Sequence, residues 1–304
     1  MSAVRVIDPG MQSSVQDLGR AGYRQMGVPT GGAFDREAHL VGSLILGNDS
    51  NDASIEMTLV GGMFQFEGDA CICLSGGHAP DASLTLGERS MPVPHQRLVQ
   101  AASGSVLRVG SITEGMRTHL SIAGGFTTKA VLGSRSALVS TPDAGLGRSL
   151  RVGDMLPVGI PGKPSMNSIE IGIVQRVDRK IRIVPGHHMV LFNEKQIQQL
   201  GGQDFVVQMQ SNRAGVRLGG TTMVGDVPGR VASVGTLPGY VQVPSDGQPI
   251  VLGVDGPVTG GYPVIACVIE ADLPRVAQAR PNDRLRFEWV DRNAALRVSQ
   301  GKVD

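Results

Sequence analysis

Paired glycine is the feature that most constrains this chain. Seven Gly-Gly steps fall along its 304 residues, at 31–32, 61–62, 76–77, 124–125, 201–202, 219–220 and 260–261, within a total of 42 glycines. Glycine loses more conformational freedom on folding than any other residue and weakens helix interiors, yet it supplies the positive-φ positions of tight turns. With 18 prolines spread between the pairs and no collagen-like period, a mainly helical protein is excluded and short strands joined by turns are predicted. The intervening runs agree. SIEMTL (54–59) sets Ile55, Met57 and Leu59 on one face and Ser54, Glu56 and Thr58 on the other. ACICL (70–74), SLTL (83–86), SVLRV (105–109), THLSI (118–122), IRIV (181–184), FVVQM (205–209), PIVLGV (249–254), PVIACVI (263–269) and RLRFEWV (284–290) read as further strands.

Helical patterns are few. Residues 35–46 carry Asp35 as N-cap, Glu37 in the first turn, a stripe of Ala38, Val41, Leu44 and Ile45, and Gly47-Asn48 as the stop. Shorter helices are expected over Asn193–Leu200 and over Leu273–Ala279, the latter with Pro274 in its first turn. The segment PVGIPGKPSMNS (157–168) reads as a linker between a β-rich N-terminal part, 1–160, and a C-terminal part, 161–304.

Charge excludes some partners. Lys+Arg total 28 against 27 Asp+Glu with no run of one sign, so neither nucleic acid nor an anionic membrane finds an electrostatic footprint. No apolar stretch approaches a membrane span, and MSAVRVIDPG lacks a signal-type apolar segment. A soluble cytoplasmic protein is expected. Cys71, Cys73 and Cys267 lie in apolar strand-like runs, as buried free thiols do. There is no G-x-x-x-x-G-K-[ST], G-x-S-x-G, H-E-x-x-H or paired C-x-x-C, and no Met-Lys-Met biotin attachment sequence. His187-His188 are adjacent and on a strand would face opposite ways, which suits a turn or surface better than a metal.

Three polar, glycine-bracketed clusters remain: SVQDLGR (14–20) leading to GVPTGGAFD (27–35), SNRAGVRLGG (211–220), and LPGYVQVPSDGQPIVL (237–252) followed by TGGYP (259–263). Each can be a turn whose polar side chains satisfy backbone groups. Arg213 and Arg217 tip the second cluster toward a site, because guanidinium groups recognise carboxylate or phosphate bidentately.

In order, the motifs PG-x5-QDLGR-x-GYR-x2-GVP-x-GG-x2-D, GN-x7-E (47–56), R-x-G-x-RL (213–218) and PG-x-x-QVP-x-DGQPI-VL…TGGYP-x-IA-x-VI-x-ADLP-x-x-AQ-x-RP span about residue 5 to residue 290. They resemble the 5-oxoprolinase C-subunit family, also called the biotin-dependent carboxyltransferase family and historically allophanate hydrolase subunit 2, which includes the antagonist of the sporulation-kinase inhibitor. The resemblance implies a mainly β, cyclophilin-like β-barrel architecture in two β-rich parts with few short helices. It also implies a tight complex with a B-subunit homologue, an A-subunit homologue as further partner, and a small-molecule substrate. In 5-oxoprolinase the complex uses ATP to open 5-oxoproline to glutamate; in the urea carboxylase relatives the related parts receive carboxybiotin. No covalently bound cofactor and no metal are expected on this chain.

On this footing Arg213, Arg217, Gln242, Asp246 and Glu56 are the catalytic candidates, and Gln16, Asp17, Arg20, Gln248, Thr259 and Tyr262 the substrate-binding ones. Arg213, Arg217, Gln16 and Gln242 would donate to a developing oxyanion, with Asp17, Glu56 or Asp246 as orienting or basic groups. Both arginines are expected at one cleft beside residues 242–248 and Tyr262; the competing reading pairs one of them with Asp246 or Asp226. Departures from the family pattern are Ser233-Val234 for Ser-Glu, Gly219-Gly220 for Gly-Pro and Pro281-Asn282 for Pro-Gly. The first removes a carboxylate. No G-G-S-S-G-G segment is present, so amidase-type hydrolysis of allophanate is not expected of this chain. Three functions compete: a non-autonomous 5-oxoprolinase subunit, a carboxyltransferase component acting on urea-like or amide acceptors, and a regulatory protein that sequesters its B-subunit homologue.

Overall fold

The structure is a computed structural model and describes residues 2–141, 144–163, 180–220, 223 and 229–299. Residues 164–168 of the expected linker and Asp226 lie outside the described residues. Two compact units are present: Met1–Ala21 with Gly31–Gln175, and Gly22–Thr30 with Arg176–Asp304.

The first unit contains two sheets. A six-stranded sheet runs Met155–Pro157, Ala3–Asp8, Val60–Phe66, Val106–Ser111, Ser83–Leu86, Arg89–Pro92; a five-stranded sheet runs Ser13–Gln16, Ser54–Thr58, Glu114–Ile122, Ala70–His78, Val99–Ala101. Their apolar residues, among them Val4, Val6, Ile55, Met57, Phe64, Phe66, Leu107 and Leu120, form one buried core. The period-2 pattern of ACICL explains a second, smaller one. Ile72 and Leu74 join the main core, while Cys73, with Cys71 beside it, packs on Val41, Ile45 and Leu46 of helix α1 (Arg36–Leu46).

Helix α1 begins where Asp35 accepts the Ala38 N–H at 3.0 Å and ends at Gly47, whose φ of 68° is left-handed. Gly42 lets it sit close to the sheet: a Cβ there would lie 2.3 Å from Ser121 Oγ. Two glycine pairs expected to punctuate the chain lie inside strands instead. Gly61-Gly62 falls in Val60–Phe66 and Gly76-Gly77 in Ala70–His78. The reason is close approach, since a Cβ on Gly61 would meet Val109 Cγ1 at 2.4 Å and one on Gly62 the Asp8 carbonyl oxygen at 2.3 Å.

The second unit is a closed barrel of strands Lys180–Pro185, Val264–Val268, Tyr240–Gln242, Ile250–Leu252, Gly215–Gly219, Asp204–Val207 and Arg284–Trp289. A parallel pairing of Lys180–Pro185 with Arg284–Trp289 closes it. A short ribbon pairs Val234–Gly235 with Thr259–Gly260. Helix α2 (Glu194–Gly202) starts at Asn193 with a full capping box, and α3 (Leu273–Ala277) has proline in its first turn. Helix α4 (Arg292–Ser299) was not anticipated.

The protein is mainly β with few short helices, as the resemblance implies, and α1 is the longest helix among the described residues. Among those residues only the second unit closes into a barrel. The three cysteines are free, though Cys71 and Cys267 are half-buried and Cys73 alone is fully buried. Among the described residues no helix is long and apolar enough to cross a membrane.

Candidate functional site

In the first unit the predicted residues converge on one loop, Gly31–Phe34, whose backbone N–H groups they hold. Gly32 N–H donates to Ser136 Oγ at 2.6 Å, Ala33 N–H to the Asp17 carbonyl at 2.8 Å and Phe34 N–H to Glu56 Oε2 at 2.8 Å. Gln16 Nε2 donates to Ser14 Oγ and to the Ala137 carbonyl, both at 2.9 Å, and its Oε1 accepts from Ser136 Oγ. The Asp17 carboxylate accepts from Gly19 N–H, Ser134 Oγ and Arg135 N–H at 2.6–2.8 Å. Arg20 Nη2 donates to the Ser136 carbonyl. Glu56 also faces Arg117 Nε at 3.6 Å and His119 Nε2 at 3.5 Å. All four predicted side chains are buried. Their observed contacts clamp a turn and deliver Asp35 to the start of α1.

In the second unit the barrel register sorts the side chains. Val216, Val251 and Val241 pair across three neighbouring strands and are buried. The next row is Arg217, Ile250 and Gln242, again directly paired. Successive residues of a strand alternate faces, so this row lies on the outer wall. With strands about 4.8 Å apart, Arg217 and Gln242 stand about 10 Å from one another on that wall.

Arg217 lines a pocket of about 640 Å³ together with Gln208, Gln210, Asn212, Asp246 and Gln248. Its guanidinium ion-pairs with no described residue. Asp246 Oδ1 accepts the Gln248 N–H at 3.0 Å, closing the turn after Pro244.

Gln242 is 4% exposed and its Nε2 has no hydrogen-bond partner among the described residues. The amide lies over the ribbon: a Cβ on Gly260 would come within 2.7 Å of Nε2. Thr259, exposed, and Tyr262, half-buried, flank that glycine pair. Gln242 is thereby brought to Thr259–Tyr262, and Arg217 to Asp246 and Gln248.

Arg213 is placed elsewhere. Its Nε and Nη2 bind Asp255 bidentately at 2.9 and 2.8 Å, with both side chains almost wholly buried. It does not line the Arg217 pocket. Arg213 is thus held by Asp255, an acid that was not anticipated, and stands outside the lining of the Arg217 pocket; Asp226, one of its two expected partners, lies outside the described residues. The tight turn at Asn212–Gly215 precedes the strand, so the spacing of four does not run along a regular strand.

Other residues escaped sequence reasoning. Arg117 and His119 face Glu56, His39 lies edge-on to His119, and burial holds the His39 imidazole below its ordinary pKa. The register pairs His119 directly with Glu56, a neighbourhood that no local pattern in THLSI or SIEMTL announces. Arg24, from the GYR triplet, donates to the Thr236 carbonyl within the second unit; burial lowers its guanidinium pKa and Tyr240 opposes that shift. Burial pushes the thiols of Cys73 up to about 12 and of Cys267 up to about 11, which keeps both neutral. His188 Nδ1 accepts the Val264 N–H at 3.2 Å.

The chain matches the carboxyltransferase domain family, subdomain A and B, over residues 26–289 and belongs to it. It is 35% identical over 303 residues to the C subunit of 5-oxoprolinase from Escherichia coli K12, covering 98% of this chain and 94% of that protein. It is 30% identical to urea amidolyase of Saccharomyces cerevisiae, covering 94% of this chain but 16% of that one. Among solved structures, urea amidolyase of K. lactis superposes with a TM-score of 0.86 at 29% identity, over 99% of this chain and 19% of that one. The Kluyveromyces lactis urea carboxylase matches with the same TM-score and identity, over 28% of its length. This chain thus spans less than a third of either solved relative.

Proposed function

We propose that this chain is the C subunit of an ATP-dependent 5-oxoprolinase, opening 5-oxoproline to glutamate with homologues of the A and B subunits. One observation carries the reading: the chain corresponds end to end with a protein that is itself a 5-oxoprolinase C subunit, whereas it matches 16–19% of the urea amidolyases. A lactam carbonyl is a poor electrophile, and its opening requires donors aimed at the oxygen where charge develops. The buried Nε2 of Gln242, which has no hydrogen-bond partner among the described residues, supports that role. Arg217 suits the substrate carboxylate through its planar fork, and Asp246, on the same pocket wall, offers an acceptor for the ring N–H. In this scheme Arg213 braces its own unit through Asp255, and Glu56, Gln16, Asp17 and Arg20 hold loops of the first unit rather than touching the substrate. ATP chemistry belongs to the assembled complex, since this chain carries no phosphate-cradling sequence.

The test uses the reconstituted three-component complex. Arg217→Lys keeps the charge and loses the fork, so kcat/KM for 5-oxoproline should fall at least about tenfold, roughly 1.4 kcal/mol of transition-state stabilisation. Assembly should be unchanged. Turnover at the wild-type rate would remove Arg217 from the site.

The TM-score of 0.86 to a urea carboxylase supports a second reading, carboxyl transfer from carboxybiotin to a urea-like or amide acceptor. The Gln242 amide fits a ureido oxygen as well as a lactam one. Avidin, which sequesters biotin, separates them: it abolishes turnover under the second reading and leaves it intact under the first.

A further inference from the structure

Beneath the glycine loop of the first unit, two histidines and a serine form an unbroken buried line. The Ser50 carbonyl oxygen lies 3.0 Å from His39 Nε2, His39 Nδ1 lies 2.9 Å from Ser54 Oγ, and Ser54 Oγ lies 3.0 Å from His119 Nδ1. His119 Nε2 then faces Glu56 Oε2 at 3.5 Å. A carbonyl oxygen only accepts, so His39 carries its hydrogen on Nε2 and its Nδ1 accepts. The single Ser54 hydroxyl hydrogen goes to that Nδ1, and its lone pair receives Nδ1–H from His119. A singly protonated His119 would turn a bare lone pair toward the Glu56 carboxylate. With both imidazoles neutral, the three hydrogen bonds of the line are served by three hydrogens, and the 3.5 Å contact to the carboxylate, longer than a hydrogen bond, sets a lone pair against a charge.

We infer that this line holds a fourth proton, which makes His119 an imidazolium paired with Glu56 and anchors the loop Gly31–Phe34 through that carboxylate. The groups facing the pair place the charge. Phe34 N–H donates to Glu56 Oε2 at 2.8 Å and Arg117 Nε lies 3.6 Å from Oε1, and both favour the ionised carboxyl. At His39, burial is the largest influence and disfavours the cation; the Ser50 carbonyl, Asp17 and Glu56 work against that, and Arg36 adds to it. His119 is as buried as His39 and Arg117 opposes a second cation there, but the Glu56 carboxylate lies 3.5 Å from His119 Nε2, which places the charge on His119. Arg117 also lies 4.7 Å over the Phe34 ring, so Glu56, Arg117 and the loop move together. The proton is taken from water as the cluster forms and returns to water on release; no other bond changes. A cation stabilised by folding contributes at low pH and is lost as pH rises.

Nitrogen NMR of the full chain with labelled histidine tests this, titrated from about one unit below to about two units above the ordinary imidazole pKa of about 6.5. The Phe34 amide protection factor is followed in the same samples. Both His119 nitrogens should keep protonated shifts where a free imidazole is neutral, and Phe34 protection should fall about tenfold or more as that signal is lost. His119→Gln keeps a donor toward Glu56 without titrating and should hold Phe34 protection level across the range. A singly protonated His119 at neutral pH would overturn the inference, as would Phe34 protection indifferent to its titration. If the variant fails to fold, the wild-type titration decides alone.

Discussion

Arg213 and Arg217 stand four residues apart in one motif and do different work. Arg213 is closed into a bidentate pair with Asp255, at 1% and 0% side-chain exposure, while Arg217 faces a pocket with no ion-pair partner among the described residues. Arg213→Ala strands Asp255 as a buried charge and should cost about 3–5 kcal/mol in chemical denaturation, with Arg213→Met/Asp255→Leu recovering most of it. Arg217→Ala should stay within about 0.5 kcal/mol. The guanidinium chemistry of both was legible in the sequence. Asp255 was not, because it lies 42 residues away and no local pattern links it to Arg213. At the surface, hydrogen bonds from Arg148 hold the Asp154 carboxyl below its ordinary value. A depressed carboxyl stabilises above its unfolded pKa of 3.8 and loses that contribution as pH falls through the folded value. The pair is partly exposed, at 43% and 20%, so Arg148→Gln should reduce the stability lost on the acid side by less than about 1 kcal/mol, read from thermal unfolding against pH.

At the scale of the element, helix α1 was readable from its caps alone, because Asp35 and Gly47 are local signals that act within a turn. Asp35→Ala should cost about 1 kcal/mol. Gly42 carries tertiary information instead. In an open helix Gly→Ala gains up to about 1 kcal/mol, but here the new Cβ would meet Ser121 Oγ at 2.3 Å and Ser75 Oγ at 3.2 Å. Gly42→Ala should therefore destabilise by about 1–3 kcal/mol as an overpacked contact, measured by thermal unfolding. A stabilised variant would mean that the helix sits farther from the sheet. The same distinction explains Val60–Phe66, a strand hidden by Gly61-Gly62. Glycine as a turn former is a local property, whereas glycine beneath Val109 answers to a neighbour that the sequence does not reveal.

For the whole molecule, alternating apolar runs were enough to predict a β protein, since period-2 patterning is decided residue by residue. Closure was not legible, because it depends on Lys180–Pro185 pairing in parallel with Arg284–Trp289 about a hundred residues away. Nor did composition foresee that Gly22–Thr30 groups with the C-terminal residues rather than with its own neighbours in sequence. The site is legible in the same measure: the motif residues were visible, but their sorting onto an outer barrel wall and a buried clamp required the register. The central claim is that the chain works as one subunit of a lactam-opening complex. It is tested most directly by measuring ATP-dependent formation of glutamate from 5-oxoproline in mixtures of this chain with its purified A-subunit and B-subunit homologues, each protein omitted in turn. Turnover is expected only when all three are present, with no ATP hydrolysis by this chain alone. Undiminished turnover without this chain, or none with all three, would contradict the account.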